Sequence, residues 1–240
     1  MFENLSDQAR GLASWDLALP TRVLPVVAGD SPETLRYSHE LLWTLEQGLK
    51  AQGQTVVVLE DMSGLSPRDA AAGHQAVLRR WLSGIGPGCV VLLHAPLEAM
   101  AVLLADSHAR PLVALHDERR SLIWAYNAAK VLVQAAGLEP VLLMPGTGPV
   151  ERHRQVAQAI ASTCEQRLGA VPSVWVLGYD ERCSGTQRRE SDACLLRVLD
   201  CALMIDEKRA REHVDQRFEY RQPTADPIIG ASDVHRQRHA

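Results

Sequence analysis

Short apolar runs alternate along this chain with longer stretches whose apolar residues recur every three or four positions, from Arg22 to Ile205. Val23, Leu24, Val26 and Val27 form the first run, which suits a strand buried on both faces. Ser31 and Pro32 then supply an N-cap and a first-turn proline, so a helix begins there. Its apolar stripe is Leu35, Leu42, Leu45 and Leu49, and Gly53 closes it. Thr55 to Leu59 make the second strand. The same grammar gives strands at Cys89 to His94, at Pro111 to His116, at Val141 to Met144 and at Val174 to Tyr179. Helices are expected from Ser66-Pro67 to about Leu82, from Leu97 to Leu104, from about Arg120 to Ala136 and from Val150 to Leu168. A last amphipathic helix, with Leu196, Leu199 and Leu203 at helical spacing, is expected to end near Ile205. Strands alternating with helices of this length predict an α/β fold in three layers, a mainly parallel sheet covered by helices on both faces.

Three regions follow. Residues 1–20 hold a short helix, with Ser6 as cap and Leu5, Ala9 and Leu12 along one face, and a linker. That helix either packs on the domain or acts as a detachable recognition peptide. Residues 21–205 form the α/β domain, and residues 206–240 are charged, poor in apolar positions and expected to be disordered. Arg209, Arg211, Glu212 and Asp215 surround only Val214 and Phe218, which is not a membrane-inserting face.

Composition narrows the classes. The 240 residues, 46% of them hydrophobic, suffice for one domain with extensions and leave two domains cramped. A net charge of -4 argues against a nucleic-acid-binding surface. The five cysteines show no CxxC pairing and read as buried thiols. No membrane span or signal peptide is evident, so a cytoplasmic location is expected.

The opening unit has the architecture of a nucleotide site without its chemistry. A P-loop needs glycines that turn N–H groups toward phosphate, a Lys for the β- and γ-phosphates, and a Ser or Thr for magnesium. The loop here, Ala28-Gly29-Asp30-Ser31-Pro32-Glu33-Thr34, has one glycine and no Lys. Asp30 and Glu33 repel the phosphate that a helix N-terminus attracts. Neither ATP and magnesium nor ATPase activity is expected.

Three stretches carry a family resemblance. SDQARGL at Ser6 to Leu12 looks like the N-terminal DQAxxLR motif of FlhG proteins; SLIWAYNAAKVL at Ser121 to Leu132 and EQRLGAVPSVWVLGYD at Glu165 to Asp180 are similar to later segments of the same proteins. The chain thus resembles the MinD/ParA class of P-loop-type ATPases, and within it the FlhG-like (FleN, YlxH) regulators of flagellar number and placement. Nucleotide-contacting aspartates of that class fall at Glu60, Met62 and His94, and its adenine-reading Asn falls near Met144-Pro145. The resemblance implies a MinD-type fold and a non-catalytic regulator of flagellar biosynthesis. It also implies a partner, a signal-recognition-type GTPase like FlhF, bound through Asp7, Gln8, Ala9 and Leu12, with recruitment to the cell pole. Other flagellar assembly proteins are further partners on this reading. Another polar-organelle or secretion system, such as pilus assembly or cellulose export, is the alternative setting for the same pseudo-ATPase.

One constellation keeps an enzymatic alternative open. Glu60, Asp61, His94, His116 and Asp117 all fall at the C-terminal ends of predicted strands, where open α/β sheets place ligands. Two histidines with carboxylates make a reasonable shell for zinc or iron in a metal-assisted hydrolase. The competing reading is a set of solvated strand-end residues, and no HExxH-type spacing supports a bound metal. Gly146-Thr147-Gly148 reads as a turn, Trp124 and Tyr126 read as packed, and Ser121 and Ser184 have no GxSxG context for a serine hydrolase.

Overall fold

The computed structural model describes residues 20–60, 73–146, 149–177 and 193–205. The N-terminal motif at Asp7, Gln8, Ala9 and Leu12 and the tail at 206–240 lie outside the described residues, as do Asp61, Met62 and Ser184. In chain order the elements are β1 (Thr21–Ala28), α1 (Pro32–Ala51), β2 (Val56–Leu59), α2 (His74–Trp81), β3 (Val90–Pro96) and α3 (Leu97–Leu104). They continue with β4 (Leu112–Ala114), α4 (Arg119–Ala136), β5 (Val141–Pro145), α5 (Val150–Leu168), β6 (Ser173–Leu177) and β7 (Leu203–Ile205).

The sheet runs β2-β3-β1-β4-β5-β6, all parallel, with β7 antiparallel against β1. It is the three-layer α/β fold that the strand and helix alternation predicts, in an arrangement consistent with P-loop-like proteins. Side chains alternate between two apolar layers. Val23, Val27, Val91, Leu93, Val113 and Leu142 face α2, α3, α4 and α5. Leu24, Val26, Leu92, Leu112 and Leu143 face α1 and the helical segment at residues 193–201. Period-two alternation with both faces apolar is what lets a central parallel strand read as an unbroken run.

β1 is the pivot, because β3 pairs along its whole length on one side while β7 and β4 share the other. It also contains Pro25, a residue that central strands normally exclude. The Arg22 amide donates to the Cys89 carbonyl at 3.0 Å, so even-numbered residues turn their N–H groups toward β3. Pro25 therefore faces the opposite edge. Its missing donor falls between the pairing of Val23 with Leu203 and that of Val26 with Leu112. The proline sits at the seam between two short partner strands, where the ladder is interrupted in any case.

α1 forms where the sequence places it. Ser31 caps it, Pro32 opens it, and the reciprocal bonds between Ser31 and Thr34 complete a capping box. Its buried face is Tyr37, Leu41, Leu42, Leu45 and Leu49, whereas Leu35, expected in the stripe, is 36% exposed at the rim of a cleft. Gly48 allows close approach of the segment after residue 193, since a Cβ there would lie 2.6 Å from the Leu195 side chain.

The C-terminal end of the domain departs from expectation. The predicted helix through Leu203 stops early: residues 193–198 are helical, Leu199–Cys201 form a 3-10 turn, and Leu203–Ile205 become β7. Leu196, assigned to the apolar stripe, is 50% exposed. Leu203 and Ile205 are buried while Met204 between them is exposed, which is strand periodicity. The pairing covers the lower edge of β1 that the three-residue β4 is too short to reach. Among the described cysteines, Cys89, Cys164 and Cys201 are buried free thiols, as expected, and Cys194 is a half-buried one; burial pushes the Cys201 thiol up to about 11.

Leu45 and Trp43 lie on opposite sides of α1, at 0% and 60% exposure. Leu45→Ala is expected to cost about 2–5 kcal/mol in urea unfolding. Trp43→Ala should change stability by no more than about 0.5 kcal/mol.

Candidate functional site

The C-terminal edge of β1, β3 and β4 is the topological switch point of the sheet, where open α/β folds leave room for ligands. The first feature there is the turn between β1 and α1. Only Gly29, Asp30 and Ser31 separate strand from helix, and the turn folds down onto the first helical turn. A Cβ on Gly29 would lie 2.1 Å from the Thr34 carbonyl carbon and 2.2 Å from the Leu35 nitrogen. Glycine is required here by the closeness of backbone to backbone.

Three N–H groups of this turn are already committed. The Gly29 N–H donates to the Ser38 hydroxyl at 3.3 Å, the Ser31 N–H to the Thr34 hydroxyl at 3.0 Å and the Thr34 N–H to the Ser31 hydroxyl at 3.3 Å. Pro32 has no N–H to give. The Thr34 hydroxyl donates to the Asp30 carboxylate at 3.1 Å, which fixes a negative charge at the helix N-terminus. Glu33 adds a second carboxylate, paired with Arg120 of α4. A phosphate loop presents free N–H groups to an anion. In this turn three N–H groups are taken up by side chains of the turn and of α1, and two carboxylates, Asp30 and Glu33, stand at the helix N-terminus.

Above the turn stand three side chains that different elements bring together. His39 comes from α1, Glu60 directly follows β2, and His94 points from β3 toward α1. Glu60 Oε1 lies 3.6 Å from His39 Nε2 and 3.7 Å from His94 Nδ1. The two imidazole rings are 4.8 Å apart between centroids and tilted by 54°. His94 is buried, and its Nε2 lies 3.0 Å from the Ser38 hydroxyl, the same hydroxyl that holds Gly29. Burial pushes the His94 pKa below its usual value, the neighbouring His39 lowers it further, and Glu60 opposes both.

Of the strand-end residues singled out in the sequence, the structure unites Glu60 and His94 and separates the others. His116 stacks on Tyr37 with ring centroids 3.8 Å apart and reaches Glu40 at 4.0 Å. Asp117 pairs with Arg152 at 3.0 Å. Asp61 lies outside the described residues. His39 was not among the sequence candidates. It belongs to a helix rather than a strand end, and only the seating of α1 across β2 and β3 brings it to Glu60. The remaining chemistry-bearing candidates are structural: the Ser121 hydroxyl accepts the His116 backbone N–H at 2.8 Å, Gly146 N–H donates to the Leu177 carbonyl, and Trp124 is buried.

His39, Tyr37 and His116 also line a cleft of about 800 Å³ between α1 and the ends of β4, β5 and β6. Leu35, Trp43, Met144, Pro145 and Leu177 give it a mostly apolar lining, with Arg36 and Glu40 at its polar margin. Trp43 and Leu35 are partly exposed there. Among the described residues, no helix is long and apolar enough to cross a membrane.

A scan of the sequence against protein-family models gives no match, and no curated protein matches it significantly.

Burial of His116 makes a pH-dependent contribution to stability. Desolvation sets its pKa below the ordinary 6.5, with Glu40 and Glu118 acting in the opposite sense. The unfolded chain therefore takes up this proton first as the pH falls. The contribution is fully present above 6.5 and is lost as the pH drops from there through the folded-state value. His116→Phe keeps the stack on Tyr37 and removes the titration. Urea unfolding midpoints followed across this range should fall less steeply with acid in the variant than in the wild type.

Proposed function

We propose that this chain is a non-catalytic regulator of flagellar biosynthesis of the FlhG kind, which acts by binding an FlhF-like GTPase. The observation that carries the non-catalytic half of the reading is the collapsed turn at Gly29. It lies where a P-loop-like sheet grips phosphate, and its Gly29, Ser31 and Thr34 N–H groups are bonded to the side chains of Ser38, Thr34 and Ser31. Without that grip, nucleotide-driven dimerisation and hydrolysis have no anchor, and the scaffold is left to work through protein contact.

The flagellar half rests on the resemblance at Ser6 to Leu12. Asp7, Gln8, Ala9 and Leu12 match the FlhG motif, and in this reading they form the partner-contacting helix. A polar group supplied in trans, here Gln8, can position water or spread charge in a partner's phosphoryl-transfer site. The apolar cleft beside Trp43 and Leu35 supports a protein-contacting role, because aromatic anchors at the edge of an apolar recess are typical of interface hot spots. The protein is placed in the cytoplasm on this reading, with recruitment to the pole through its partner. Other flagellar assembly proteins are further partners for the cleft.

The test uses the full chain and a purified FlhF-like GTPase. Wild type is expected to bind the GTPase and raise its turnover. Gln8→Ala should retain binding and lose most of the stimulation, on the order of 10-fold or more. Equal stimulation by Gln8→Ala, or no binding by the wild type, would contradict the reading.

A further inference from the structure

We propose that His39, Glu60 and His94 form a zinc(II) site that ties α1 to the ends of β2 and β3. This inference does not depend on the partner-binding function, because it is drawn from donor geometry alone. The three ligand atoms lie within 4.8 Å of one another. Zinc holds imidazole nitrogen at about 2.0–2.1 Å and carboxylate oxygen at about 2.0–2.2 Å, so tetrahedral ligands stand roughly 3.3–3.6 Å apart. The carboxylate lies 3.6 and 3.7 Å from the two ring nitrogens, within a few tenths of an ångström of that spacing. Both distances are too long for a hydrogen bond. The two histidine nitrogens stand farther apart, within 4.8 Å, so the exposed His39 ring closes by roughly 1 Å to complete a tetrahedral set.

The support behind His94 is the second argument. The Ser38 hydroxyl has one hydrogen, and the Leu35 carbonyl lies 2.9 Å away to accept it. Given there, the hydrogen leaves the Ser38 oxygen to accept from Nε2–H of His94 at 3.0 Å. The tautomer so fixed carries its lone pair on Nδ1, the atom that faces Glu60. Metal-ligating histidines are held in this way, with the other ring nitrogen bonded to a partner that sets tautomer and ring orientation. His94 is the buried, preset ligand, while the exposed side chains of His39 and Glu60 are free to close on the ion.

The donor set selects the metal class. Two neutral imidazoles and one carboxylate suit zinc(II), whereas magnesium and calcium prefer all-oxygen shells. Three protein ligands leave a fourth position for water or for a carboxylate from another molecule. His116 takes no part, since it is engaged with Tyr37 and Glu40.

The test is zinc titration of the metal-free full chain by calorimetry, with stoichiometry read by native mass spectrometry. Wild type is expected to take up one zinc per chain. His39→Ala and Glu60→Gln alter exposed side chains, so circular dichroism should be unchanged while zinc affinity falls at least about 10-fold. His108→Ala, an exposed histidine elsewhere, should bind like wild type. Cobalt(II) in place of zinc should give visible d–d bands without thiolate-to-metal charge transfer. The site is refuted if wild type retains no zinc, if the His39 and Glu60 variants bind as tightly as wild type, or if thiolate charge transfer places the ion on cysteine.

Discussion

The structure depends on how closely β1 runs into α1. Three residues connect them, and the middle of the contact is a glycine backbone pressed against the first turn of the helix. That closeness fixes the height of α1 on the sheet. It turns Ser38 inward to hold both Gly29 and His94, and it carries Tyr37 onto His116 and His39 toward Glu60. A longer, open loop would lift the helix end and break each of these contacts together. The same geometry commits the Gly29, Ser31 and Thr34 amides to side chains of the turn and of α1, and it assembles the histidine cluster beside them.

The electrostatics follow. Asp30 and Glu33 place negative charge at the helix N-terminus, which favours the macrodipole and the cap while discouraging an anionic ligand. Glu60 adds a carboxylate that faces two ring nitrogens, one of them on a buried imidazole. The His39, Glu60 and His94 donors and the apolar cleft bordered by Trp43 and Leu35 adjoin at the same edge, with His39 belonging to both. The partner-binding reading rests on the N-terminal motif and the apolar cleft and the zinc inference on the spacing of three donors, with His39 shared by the cleft lining and the cluster.

Much of this was legible in the sequence where the signal was local. Ser31-Pro32 announced the start of α1, and the apolar runs gave six parallel strands because burial on both faces leaves an unmistakable pattern. β7 was not legible, since Leu199 and Leu203 fit helical spacing while Leu203 and Ile205 fit a strand, and a three-residue strand is too short for either period to prevail. The candidate site was half visible. Strand ends drew attention to Glu60 and His94, but also to His116, which strand order places elsewhere: β1 lies between β3 and β4, which separates those strands by about 10 Å. His39 was hidden because its position relative to β2 is a property of helix packing, not of spacing along the chain.

The central claim is that the Gly29 turn has given up phosphate binding. Equilibrium titration of the purified full chain with ATP in the presence and absence of magnesium tests it most directly. The account predicts no saturable binding under either condition. Tight, magnesium-dependent binding of ATP would contradict it.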